Sequence, residues 1–160
     1  MNSHDYHWVK QIRGNLLNFC SELEPQDFTR QLDNFASQSI QEILLHIADC
    51  YHGWLGSFVL LKTQEPFIPK ENRHSFGIEE IKQHFEHGDT FVDEVLKGPL
   101  DEPLKRPIPW RAGSELITRT PGQLLMHAVT HEFHHKGQIA TIARQMGYGP
   151  PNTDVLGIED

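Results

Sequence analysis

Residues 120–147 read TPGQLLMHAVTHEFHHKGQIATIARQMG, and this stretch decides the fold. Thr120 suits an N-cap and Pro121 the first helical position, where its missing N–H costs nothing. Gln123 stands three residues after the cap, where its side chain closes a capping box. Gly147 follows Met146 as a residue able to turn left-handed and stop the helix. The stretch is therefore predicted as one helix over 120–146. At 100° per residue Leu124 and Ile142 point the same way and define the core direction. His131 falls about 20° to one side of it and His135 about 20° to the other. Two imidazoles stand where a bundle helix wants leucine.

Outward from this helix, three more segments show helical period. Trp8, Ile12, Leu16, Phe19 and Leu23 recur three or four apart and predict a helix over 3–23, ended by Pro25. Ile40, Ile43, Ile47, Tyr51, Trp54 and Phe58 predict a second over 39–61, opened by a Ser39–Glu42 capping box. Ile78, Ile81, Phe85, Val92 and Val95 predict a third, over about 77–97, stopped by Gly98-Pro99. Linkers with Pro66 and Pro69, and then with Pro99, Pro103, Pro107 and Pro109, separate the helices, and residues 115–118 suit a short extended piece. No repeat, low-complexity tract or break divides the chain. The expectation is an all-α four-helix bundle occupying 1–160 as one domain.

With 160 residues the chain is long enough to bury a core without disulfides. Cys20 and Cys50 lie in apolar-periodic stretches and are too few for a disulfide framework, which fits a reducing, cytoplasmic compartment. No basic segment followed by an apolar run opens the chain, so no secretory signal is expected. The longest apolar stretch, near 40–61, is interrupted by Gln41, Glu42, His46, Asp49 and His52 and predicts a buried helix, not a membrane span. A formal charge of −8 with scattered Lys and Arg speaks against a nucleic-acid partner. Eleven histidines exceed ordinary usage, and their placement carries the meaning.

An i, i+4 histidine pair on one helix face offers two ring nitrogens to one metal. The competing explanation is a pair of hydrogen-bonded core histidines, but two stacked imidazoles would then need two buried partners. His127 and His134 fall about 60° and 80° from the core direction, at the edge of the face. His46 lies about 100° from Ile47, so helical geometry alone leaves it between ligand and interfacial residue. Cys50, one turn on, is a rival ligand or simply a small core residue. His4 with His7, and His84 with His87, are expected on solvated faces. His131-Glu132-Phe133-His134-His135 also fits His-Glu-x-x-His, with Glu132 as a protease base. The extended form of that motif fails at Gln138, where it requires glycine.

The segment from Leu125 through His131-Glu132-Phe133-His134-His135-Lys136-Gly137-Gln138 to Ile139 resembles the signature of the DinB-like metalloprotein superfamily. The tail Gly147-Tyr148-Gly149-Pro150-Pro151-Asn152-Thr153-Asp154 and the segment Leu44-Leu45-His46-Ile47-Ala48-Asp49, followed by Trp54, are similar to other parts of its pattern. The resemblance implies a bundle with long crossover connections, commonly up-down-down-up and often a homodimer. It implies a divalent metal, zinc or nickel, on three histidines that match His46, His131 and His135. Some relatives transfer low-molecular-weight thiols, so thiol transfer to a small electrophile is the implied activity. Metal-dependent hydrolysis and an idle, stress-response metal site are its rivals. Lys136 departs from the arginine many members carry, which would turn a bidentate anion contact into a point charge. Gln138, about 40° from the core direction, is placed to orient a ligand or to bond loop backbone.

Overall fold

The computed structural model describes residues 1–32 and 38–157. In chain order its elements are α1 (Ser3–Ser21), the single turn α2 (Pro25–Phe28) and α3 (Ile40–Tyr51), which runs on into a π-helical segment (His52–Val59). The single turn α4 (Lys70–Arg73), α5 (Ile78–Val95), strands β1 (Leu104–Arg106) and β2 (Ile117–Arg119), α6 (Pro121–Gln145) and a 3-10 turn (Val155–Gly157) follow. The chain is an all-α four-helix bundle built on α1, α3 with its π extension, α5 and α6.

Local chemistry sets the boundaries. Both predicted capping boxes form: Gln123 N–H donates to Thr120 Oγ1 at 3.1 Å, and Glu42 N–H to Ser39 Oγ at 3.2 Å. In each, the N3 side chain accepts from the cap backbone in return. Gly147, at φ 91°, ends α6, and Tyr148 N–H closes back onto Ala143 O at 2.9 Å. The first helix stops at Ser21 instead of 23, with Glu22 as its cap. The second ends at Val59, where Leu61 takes φ 56° without being glycine. The extended piece expected at 115–118 lies at Ile117–Arg119, paired antiparallel with Leu104–Arg106 in a small hairpin.

Named contacts fix the helix directions. Gln41 bonds Phe76 O, Asp49 meets His84, and Lys62 pairs with Glu94, so α3 and α5 run parallel. His46 meets His135 while Trp54 meets His127, so α3 and α6 run antiparallel. Tyr6 and Arg13 both reach Asp89, and Arg13 covers the Phe85 ring, so α1 opposes α5. The order is up-down-down-up. Two consecutive parallel helices require the linker 60–77 to travel the length of the bundle, which brings Phe67 against Gly53 and Arg73 against Asp49. Ile40, Ile43, Ile47, Leu55, Phe58, Ile81, Val92, Ile139 and Ile142 are fully buried and form the centre of the core. No helix among the described residues is long and apolar enough to cross a membrane.

Candidate metal centre

His131 and His135 stand one turn apart on α6 with their Nε2 atoms 3.1 Å from each other. His46, from α3, brings its ring to 4.7 Å and 4.8 Å (centroid to centroid) from theirs. One ligand atom from each of the three lies within 4.8 Å of the others, the only group of three metal-type side chains so placed among the described residues. His135 is buried, His131 half-buried and His46 exposed, so the cluster opens to solvent on the α3 side.

Hydrogen bonding prepares these rings as ligands. Gln138 Oε1 lies 2.6 Å from His135 Nδ1, where it accepts the ring N–H and leaves Nε2 with its lone pair. Gln138 therefore bonds a histidine, not loop backbone. His131 Nδ1 is buried without a partner. Burial, then the neighbouring imidazoles, pull His131 down to about 3. Burial and then His135 lower His46, and burial lowers His135. All three rings are neutral at pH 7, the form that binds metal. Three neutral imidazole nitrogens facing one point, two of them 3.1 Å apart, fit a divalent cation.

Glu132, between the two α6 histidines in sequence, faces the other way. It is 0% exposed and bound on all sides. Arg13 Nε and Nη2 donate to its two oxygens at 3.1 Å and 3.0 Å, and Tyr51 O–H donates at 2.5 Å. Lys136 Nζ lies 2.7 Å away. Burial would raise its pKa, but the Arg13 and Lys136 charges outweigh that and draw it to about 2. The protease assignment of Glu132 fails here, because its carboxylate is spent on the bundle interior. Lys136 likewise meets this carboxylate and no ligand, so its departure from arginine falls inside the core. Asp89 completes the network, accepting from Arg13 Nη1 at 2.6 Å and from Tyr6 O–H at 2.5 Å.

A cavity of about 370 Å³ adjoins the histidines, with Cys50, Trp54, Phe67, Trp110 and His127 in its walls. His127, at the edge of the α6 face, stands 5.6 Å from His131 ring to ring, outside the group of three. His134 is exposed and touches Gln138. Cys50 contributes a buried thiol, pushed up to about 12 chiefly by burial, with Glu132 and Asp49 adding to it. At the rim Asp49 binds both Arg73 and His84 Nε2, the latter at 3.1 Å. His84 is thus half-buried and paired, a correction to the solvated face expected for it, whereas His4, His7 and His87 are exposed.

The interior network was not anticipated, although the sequence held a signal. Relative to Ile12, Leu16 points about 40° away, Val9 60°, Tyr6 120° and Leu17 140°, and Arg13 at about 100° falls inside that buried arc. A charged residue within an apolar arc requires buried counter-charges, and the arc alone does not say where they stand.

Comparison with known proteins gives a consistent picture. The DinB family model matches residues 1–160. The chain is 29% identical to "Protein DinB" of Bacillus subtilis (strain 168), over 92% of this chain and 85% of that one. It is 23% identical to "Uncharacterized protein YizA" of the same organism, over 98% and 94%. A solved structure described as "TT2238, a four-helix bundle protein" superposes with a TM-score of 0.57 at 19% identity, covering 85% of this chain and 95% of that one.

Proposed function

The chain belongs to the DinB family, and from that premise we propose that His46, His131 and His135 hold one divalent metal ion, zinc or nickel, in a site for thiol transfer to small electrophiles. The observation that carries this reading is the convergence of three uncharged imidazoles beside an open cavity of about 370 Å³. Three neutral protein ligands would leave a divalent ion held there with an open position, the composition of catalytic rather than structural sites. A divalent metal held there supplies a Lewis acid that lets a low-molecular-weight thiol ionise near neutral pH.

The chain's own residues do the rest. Gln138 fixes the ring of His135, and Trp54 and Trp110 pack edge to face as one wall of the cavity. Neither cysteine is suited to be the nucleophile, since burial pushes both thiols up to about 12. Hydrolysis is disfavoured because the one carboxylate next to the pair in sequence, Glu132, is turned into the core and bonded to Arg13 and Tyr51. A homodimer in the cytoplasm, as the family resemblance implies, completes the proposal.

The test is thiol consumption with an electrophile such as monobromobimane. Cys50→Ser is expected to retain most of the metal-dependent rate and His131→Ala to lose nearly all of it. Turnover of an ester or amide without added thiol would replace this reading with a hydrolase. Bound metal without turnover in either assay would replace it with an idle site. Loss of activity in Cys50→Ser with metal still bound would point to a cysteine nucleophile.

A further inference from the structure

We propose that the cavity beside the three histidines selects a small planar aromatic acid, its ring held by Trp54, Phe67 and Trp110 and its anionic group by Arg111. Three stretches of chain that are distant in sequence each send one ring to this wall: the π segment, the crossover linker and the loop of the hairpin. Trp110 is the shared member, 5.2 Å from Trp54 at 79° and 5.4 Å from Phe67 at 74°. These edge-to-face contacts hold the rings as a surface suited to a flat apolar ligand. Gly53 makes the wall possible: a Cβ there would stand 3.0 Å from Phe67 Cε1 and 3.4 Å from Trp110 Cη2. The cavity's volume, about 370 Å³, suits a one-ring molecule.

Charge decides the other half of the ligand. Asp49, the acidic residue lining the cavity, is neutralised by Arg73 and bonded to His84. Arg73 is in turn committed to Asp49 and to Ile68 O. Arg111 lines the cavity as an exposed residue at its rim, and its guanidinium has neither an ion-pair nor a hydrogen-bond partner among the described residues, in a chain of net charge −8. Of the two arginines that line the cavity, Arg73 is paired and Arg111 is the one without a partner among the described residues. An anion reaching it from the aromatic wall gains a charge-assisted, bidentate contact.

This inference deepens the proposed function, since such an acid, if its ring carries a substituent that leaves as an anion when the thiolate forms the C–S bond, would be the electrophilic partner of the thiol, but its test needs neither thiol nor turnover. Calorimetric titration of the protein as purified would use 4-nitrobenzoate, 4-nitrobenzamide and acetate as probes. The aromatic acid is expected to bind roughly tenfold or more tighter than either of the others. Arg111→Gln should reduce 4-nitrobenzoate to the level of the amide and leave the amide unchanged, with metal content unaltered. Trp110→Ala should weaken both aromatic probes. Equal binding of acetate and 4-nitrobenzoate would overturn the aromatic half. A carboxylate preference that survives Arg111→Gln would overturn the assignment of Arg111, and no binding of any probe would overturn both. Binding as expected without thiol consumption would uphold this inference and refute the thiol reading, which keeps the two failures separate.

Discussion

At the scale of single residues, neighbours in sequence take opposite assignments. His131 and His135 look into a solvent-open cluster, while Glu132 and Lys136, each one position on, look into a dry network with Arg13, Tyr51 and Asp89. One residue of helix turns a side chain by about 100°, enough to separate the histidine face from a structural one. Glu132→Gln is therefore expected to unfold the protein more easily without emptying the metal site. It strips the buried Lys136 of its counter-charge and leaves Arg13 with Asp89 alone, a loss of roughly 3 kcal/mol for a broken buried pair. Urea midpoints and metal content measured on the same sample check it. A stable variant that has lost its metal would restore Glu132 to the site. The α6 histidine pair was legible because the wheel placed both rings on the core axis. His46 was not legible from the wheel, where its flank position is ambiguous; the family resemblance named it, and the packing of α3 against α6 brings it to the pair.

At the scale of elements, winding explains the largest departure from the sequence reading. The apolar stripe placed Trp54 in the core, but Leu55 is 0% exposed and Trp54 is only half-buried in the cavity wall. Over His52–Val59 the backbone bonds to the fifth residue back, as in Leu60 N–H to Leu55 O at 2.9 Å. Each residue then turns by less than 100°, which swings Leu55 inward and Trp54 to the flank. A wheel drawn at the α-helical step cannot show this. Gly56 is bound up with it, since a Cβ there would stand 2.6 Å from Phe91 Cε2, on a buried ring packed against His52 and His87. Gly56→Ala is expected to destabilise by about 1–3 kcal/mol through overpacking. Gly14→Ala on α1, where a Cβ meets nothing within 4 Å, should instead stabilise by roughly 0.5–1 kcal/mol. Denaturant midpoints for the two variants should move in opposite directions, and a shift of the same sign in both would contradict the packing argument.

At the scale of the whole molecule, four helices and their order were legible from period and caps. Their directions follow from contacts that no single segment contains. The parallel pair α3 and α5 forces the long linker, and the linker supplies Phe67 and Arg73 to the cavity. Acid sensitivity belongs to this scale as well. His52, between α3 and α5, bonds through Nε2 to His84 O at 2.9 Å. Burial, then His84, lowers its pKa to about 4 from an ordinary 6.5. A depressed folded value means the unfolded chain takes up the proton first. The stabilisation from His52 is thus complete above pH 6.5 and is lost as pH falls toward 4. Between pH 7.5 and 5 it amounts to about 2 kcal/mol, and His52→Gln should remove that part of the slope in urea titrations at the two pH values. An unchanged slope would contradict it.

The central claim is the metal, and its most direct test is metal content per chain, by plasma mass spectrometry, for protein purified without a histidine tag. Three neutral nitrogens meet only if His46, His131 and His135 all remain, whereas exposed His134 stays outside that group, reaching it through Gln138 and an edge contact with the His135 ring. The expected result is close to one zinc or nickel per chain in the unaltered protein and in His134→Ala, and almost none in His131→Ala or His135→Ala. An unaltered protein that takes up no divalent metal, or a metal lost with His134 and kept without His131, would contradict the account.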